Sequence, residues 1–270
     1  MMELMTAPAS PVPSSPPRLA RTVAITSGKG GVGKTFFSAN LAAALTRQGL
    51  KVLVLDADLG LANLDVVLNL YPKITLHDVF TGKAELEEAI LPAPGGFSVL
   101  LAGSGLVEYS RLTPEVRDQL SRIFEAVKPR FDVILIDTGA GISDVVLYAV
   151  SMAHEVIVVA TPEPTSMTDA YATIKVLAAQ QSRENLHLVV NQVSRAGDGR
   201  AICNQLQQVV ERFVQNPNGT VPKLYFLGEI AQDQSVRDAV QRRQLLMELH
   251  PGSAAAQGVV QVATRLQARG

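Results

Sequence analysis

A run of β-branched and apolar residues, Arg21-Thr-Val-Ala-Ile-Thr-Ser27, passes directly into Gly28-Lys29-Gly30-Gly31-Val32-Gly33-Lys34-Thr35. A helical pattern carried by Phe37, Leu41 and Leu45 follows. Strand, glycine-rich turn and helix in immediate succession form half of a βαβ unit, which commits the chain to a layered α/β architecture. The turn satisfies G-x-x-x-x-G-K-[ST]. Its glycines let successive backbone N–H groups curl toward an anion, and the helix N-terminus adds partial positive charge at the same place. Lys34 is placed to reach β- and γ-phosphates, and the Thr35 hydroxyl is placed to ligate Mg²⁺. The residues read as nucleotide-contacting are Gly28, Lys29, Gly30, Gly31, Val32, Gly33, Lys34, Thr35 and Phe36. The implied ligands are a nucleoside triphosphate and Mg²⁺.

A phosphate loop needs a metal-holding carboxylate and a group that orients water before it can hydrolyse anything. Phe131-Asp-Val-Ile-Leu-Ile-Asp137 is a near-continuous apolar run ending in an acid. Such a run is a buried parallel strand that delivers Asp137 to its carboxyl edge, where α/β sheets bind ligands. The turn Thr138-Gly139-Ala140-Gly141 then suits a γ-phosphate sensor. Lys51-Val-Leu-Val-Leu-Asp56-Ala57-Asp58 ends the same way and brings Asp58 to the same edge.

Further runs place strands near 21–27, 51–56, 97–101, 132–137, 154–160, 186–191 and 223–229. Helices are expected near 34–48, 113–127, 142–152, 165–181, 199–214, 234–242 and 254–267. This alternation predicts a doubly wound, mainly parallel sheet with helices on both faces, all motif loops lying along one edge. Thr113-Pro114-Glu115 reads as a helix start, and Pro92 with Pro94-Gly95-Gly96 as an exposed turn. Asn191 closes the strand Leu186–Asn191; its amide offers the donor and acceptor that an adenine edge requires, and equally suits a plain turn.

The 270 residues, 47% of them hydrophobic, suffice for one large domain, expected over 21–270. A Pro/Ala/Ser-rich stretch at 6–18 reads as part of a disordered tail covering 1–20. Net charge is −1, so no general attraction to nucleic acid is expected, and Arg237, Arg242 and Arg243 read as a solvated helix face. A lone Cys203 excludes internal disulfides, and the four histidines lack metal-ligand spacing. No apolar run is long enough to span a bilayer, and the N-terminus lacks signal-peptide features. A cytoplasmic protein is expected.

Lys-Gly-Gly-Val-Gly-Lys-Thr at 29–35 resembles the deviant phosphate loop of the MinD/ParA superfamily of ATPases. The resemblance implies a catalytic set of Lys29, Lys34 and Asp58, with Lys29 reaching the phosphates bound by the other subunit of an ATP-dependent homodimer. It also implies that Asp58 orients the attacking water, that Thr35 and Asp137 serve Mg²⁺, and that Asn191 reads adenine. Asp56–Asp65 with Thr75–Val79 is similar to both MinD and the flagellar-number regulators of the FlhG branch (also called FleN or YlxH), whereas Thr161–Tyr171 resembles the FlhG pattern specifically and Leu227–Asp233 also resembles that branch. A flagellar transcription activator or a basal-body protein is then the implied partner. Transient recruitment to the cell pole or membrane is the implied behaviour. Partition ATPases of the ParA type and division-site ATPases of the MinD type are the alternative outputs.

Two departures from the family pattern bear on partners. The last helix, with Ala256, Val259, Val260, Ala263 and Leu266 on one side, carries few basic residues and is expected to pack on the domain rather than anchor it to lipid. The N-terminus lacks the Asp-Gln-Ala tripeptide that couples relatives to the GTPase FlhF, which argues against that partner.

Overall fold

The computed structural model of the chain describes residues 19–58, 63–103 and 112–269. Within it, the strands are β1 (Arg21–Ser27), β2 (Val52–Ala57), β3 (Ile90–Pro92), β4 (Ser98–Leu100), β5 (Val133–Ala140), β6 (Glu155–Ala160), β7 (Asn185–Val193) and β8 (Lys223–Ala231). They form one sheet in the order β3-β4-β2-β5-β1-β6-β7-β8. Every pair is parallel except β3 with β4. The central strands read VAITS, VLVLD and VILID because both of their faces are covered by helices and neither can be polar.

One face carries α1 (Lys34–Arg47), α2 (Leu64–Leu68), α9 (Gln234–Arg242), α10 (Leu246–Leu249) and α11 (Ala254–Gln267). The opposite face carries α3 (Leu76–Phe80), α4 (Leu86–Ala89), α5 (Pro114–Val127), α6 (Asp144–Ser151), α7 (Pro164–Gln181) and α8 (Asp198–Phe213). Strand alternation sorts the two cores. Val52, Val54 and Leu135 face α1, whereas Leu53, Leu55 and Ile136 face α5 and α6. The chain leaves β1 toward β2 on one side, while β5 is followed by β6 on the other. The carboxyl ends of β1 and β5 therefore flank the switch point where open α/β sheets take ligands.

Several helix ends follow directly from local chemistry. The Thr113 side chain accepts from the Val116 N–H at the start of α5, with Pro114 in the first turn. Ser143 and Ser253 do the same for α6 and α11. Ser182 ends α7 in the left-handed region at φ 51°.

The eight-stranded sheet holds one strand more than the sequence predicts. The segment read as an exposed turn from Pro92 instead contributes that residue to β3, an antiparallel edge strand. A proline lacks a ladder N–H, which an edge position does not require. The turn proper is Ala93–Gly96, closed by Ala93 N–H to the Phe97 carbonyl at 2.9 Å, with Gly95 and Gly96 both at positive φ. β5 also runs three residues past Asp137, through the sensor turn to Ala140. The expected tail includes Leu19 and Ala20, yet Ala20 is buried and its N–H donates to the Lys128 carbonyl. The expected disorder at 6–18 and the loop immediately after Asp58 lie outside the described residues.

Candidate functional site: a phosphate loop facing two strand-end acids

The phosphate loop closes on itself through the Ser27 hydroxyl, which donates to the Lys29 carbonyl at 2.8 Å. Gly31 and Gly33 sit at φ 79° and 88°, in the left-handed region where a Cβ is disfavoured. Gly28 is fixed by a different constraint. A Cβ there would lie 2.1 Å from the Asp169 carbonyl oxygen, so only glycine lets α7 press its backbone against the loop.

Beside this loop lies a cavity of about 510 Å³, lined by Gly30, Gly31, Gly33, Lys34, Thr35 and Phe36, by Ala57, Asp58 and Asn63, and by Gly139, Ala140 and Ser143. Loops from β1, β2 and β5 thus converge as the motifs predict. A Cβ on Gly139 would lie 3.4 Å from the Asp58 carboxyl, so the sensor turn and the acid after β2 are in close apposition.

Asp137 lies at the floor, 1% exposed. Its Oδ1 accepts from the Ser38 hydroxyl at 2.8 Å, one turn into α1 from Thr35. Burial pushes the Asp137 carboxyl above its ordinary range, opposed by the Lys34 ammonium and the hydroxyls of Ser38 and Thr35. Its partner in register on β2 is Asp56, also 1% exposed. Burial, then the nearby Asp137, and further Asp58 and Asp65 push the Asp56 carboxyl well above the usual value, against the Asp58 N–H that donates to its Oδ1.

Asp137 neighbours the Lys34 ammonium and two further acids, Asp56 and Asp58, and among the described residues Asp56 Oδ2 has no hydrogen-bond partner, so these residues leave the site short of positive charge. That deficit fits a divalent cation. Among the described residues no three His, Cys, Asp or Glu side chains form a self-contained metal cage. Mg²⁺ does not demand one: it is held by one or two protein oxygens together with phosphates and water. Thr35 and Asp137 are the residues that would hold it.

Lys29 is placed elsewhere. Its Nζ donates to Glu163 Oε2 at 2.8 Å and to the Thr165 hydroxyl at 2.9 Å, at the start of α7. Lys34 points into the loop's own cavity while Lys29 points away from it, along the surface. Phe36 and Asn191 meet in a second cavity of about 410 Å³ that also includes Gly33, Gln192, Asp233, Val236 and Arg237. Gly33 and Phe36 line both cavities, so the two adjoin along the loop.

Sequence reasoning named every residue of the phosphate loop, both strand-end acids and Asn191. It assigned no role to Ser38, Asp56 or the Glu163–Thr165 pair that holds Lys29. Ser38 had a signal, since it lies one helical turn past Thr35 on the face turned to the sheet. Glu163 had none, because 134 residues separate it from Lys29.

A parallel sheet with a phosphate loop at its switch point and an acid ending the adjacent strand defines a P-loop nucleoside triphosphatase. Residues 18–267 match the family model described as ParA, NUBPL iron-transfer P-loop NTPase. The chain belongs to the ParA family. The antiactivator FleN of Pseudomonas aeruginosa is 41% identical over 246 residues, covering 91% of this chain and 86% of FleN. The flagellum site-determining protein YlxH of Helicobacter pylori is 35% identical, over 89% of this chain and 80% of YlxH. Among solved structures, the septum site-determining protein MinD of Pyrococcus horikoshii complexed with Mg-ADP superimposes with a TM-score of 0.74 at 29% identity, covering 92% and 96% of the two chains.

Proposed function

We propose that this protein is an ATP-hydrolysing dimerisation switch that regulates the number or placement of flagella, turning over slowly on its own and faster with a partner. The observation that carries the reading is the division of labour between the two lysines. Lys34 lines the cavity of its own subunit, while Lys29 lies on the surface beside α7, paired with Glu163 and Thr165, and would exchange that pair for the phosphates of a second copy. Similarity to an antiactivator and to a flagellum site-determining protein supports the flagellar output.

In this reading the backbone N–H groups from Gly30 to Thr35 cradle the phosphates of ATP, and Lys34 neutralises their charge. Bound Mg²⁺ would supply further neutralisation of developing phosphate charge. Asp58, against Gly139, orients the attacking water. Asn191 and Phe36 receive the base. When the γ-phosphate leaves, the turn after Asp137 relaxes and the pair of subunits separates. A flagellar transcription activator or a basal-body protein would read the paired state.

The test is light scattering of the purified chain with ATP and with ADP, alongside a phosphate-release assay. A dimer with ATP, a monomer with ADP and measurable phosphate release are expected. A chain that stays monomeric with ATP, or releases no phosphate, overturns the switch.

A further inference from the structure

Asn191 makes two contacts with this chain that adenine recognition alone does not require. Its Nδ2 donates to the Val32 carbonyl at 2.8 Å, inside the phosphate loop and 159 residues away in sequence. Its Oδ1 accepts from the Gln192 N–H at 2.9 Å. Gln192 holds φ 60°, one of four described non-glycine residues at positive φ. A backbone held in this region by a side chain other than glycine persists only where its surroundings impose it. The strained backbone marks an imposed turn directly after Asn191, and the Gln192 N–H bond to Oδ1 fixes the amide's orientation. On the other side, a Cβ at Gly33 would lie 2.5 Å from Asn191 Nδ2, so the amide abuts the loop backbone at a second point.

We propose that Asn191 is a positioning residue for the phosphate loop, coupling the base cavity to the phosphate cavity through the Val32 carbonyl. The inference rests on the nucleotide reading of those two cavities. A carboxamide has two N–H donors and two lone pairs. Val32 takes one donor and Gln192 one lone pair. One donor and one lone pair remain for the cavity that Asn191 shares with Phe36 and Arg237, the complement of an edge that pairs an amino group with a ring nitrogen. A base bound there restrains the amide further, and through it the peptide between Val32 and Gly33. A base with a carbonyl in place of the amino group meets the remaining lone pair and loosens the same linkage. Phosphate affinity therefore depends on a side chain that touches no phosphate.

The decisive probe is a ligand without a base. Asn191→Leu, close in size and uncharged, is expected to bind inorganic tripolyphosphate with Mg²⁺ about fivefold more weakly than the parent, the worth of one net hydrogen bond. Unchanged tripolyphosphate affinity with weakened ADP binding would leave Asn191 as a base reader only and overturn the proposal. A parent protein that binds neither ADP nor tripolyphosphate overturns the nucleotide reading itself, and the proposal with it. A second measurement needs no variant. Adenosine, which has no phosphate, should slow hydrogen exchange of the Gly33 and Lys34 amides in the parent protein. If adenosine protects Asn191 and Gln192 but leaves those amides unaltered, the coupling is refuted.

Discussion

Gly28 has the least freedom of any residue in the site. The atoms a methyl group would meet belong to the Asp169 backbone, which cannot move without shifting α7. Gly28→Ala should therefore destabilise the fold by at least about 2 kcal/mol, as overpacking against a rigid neighbour does, measured by denaturant unfolding. Asp56 makes the opposite case. A carboxyl whose pKa is raised by folding takes up protons relative to the unfolded chain, so its contribution turns against stability as pH rises past the unfolded value. Asp56→Asn should raise the melting temperature of the nucleotide-free protein at pH 7 by about 2–4 °C for each kcal/mol relieved, with less effect near pH 4. An equal shift at both pH values would show that charge is not the cause. Lys29→Ala should remove ATP-dependent dimerisation while leaving ADP binding within about twofold, because an exposed ion pair such as Lys29–Glu163 contributes little to folding.

At the scale of elements, one polar cluster ties four of them together at the end of the sheet away from the nucleotide cavities. Arg21 on β1 makes a paired contact with Glu155 on β6 and donates to the Leu266 carbonyl of α11. His187 on β7 lies 3.1 Å from Glu155 Oε2. Burial pushes Glu155 up, but the Arg21 guanidinium and His187 outweigh it and bring the carboxyl down to about 2. A depressed carboxylate stabilises the fold above its unfolded pKa, and that contribution fades as pH falls from about 4.5 toward about 2. Arg21→Leu should cost about 1–2 kcal/mol at pH 7 and flatten this acid limb of the stability profile, read from urea unfolding at a series of pH values.

The larger elements were legible in sequence, since runs such as Val133–Asp137 and the glycine loop carry their geometry in consecutive residues. β3, α2, α3, α4 and α10 were not, because three to five residues hold too little periodicity to separate strand from turn. The site followed the same rule. Local motifs named the phosphate loop and its acids, while Ser38 with Asp137, 99 residues apart, needed the fold to bring them together. The final helix was read correctly as a packed one. Ala255, Ala256, Val259, Val262, Ala263 and Leu266 are buried against β8 and α1, and no described helix is long and apolar enough to cross a membrane.

For the whole molecule, turnover and association are the properties that distinguish a switch from a plain hydrolase. Asp58→Ala should abolish phosphate release and hold the protein as a dimer with ATP, seen as a single species of doubled mass; a monomer under those conditions would separate Asp58 from the switch. The margins of the sheet bear on how far association could proceed. One margin is β3, three residues long and ending in proline. At the other, the Leu224 N–H of β8 is taken by the Gln207 side chain, and the Leu227 carbonyl by Arg265 of α11. A short strand ending in proline and an edge whose groups are partly taken by side chains both discourage pairing with a neighbouring strand. Such margins disfavour growth by adding strands, so in the proposed switch the copies pair through a surface other than the sheet edges. The consequence under the proposed switch is stoichiometric: raising the concentration of the ATP-bound protein should yield more pairs rather than longer assemblies, read by light scattering across a concentration series.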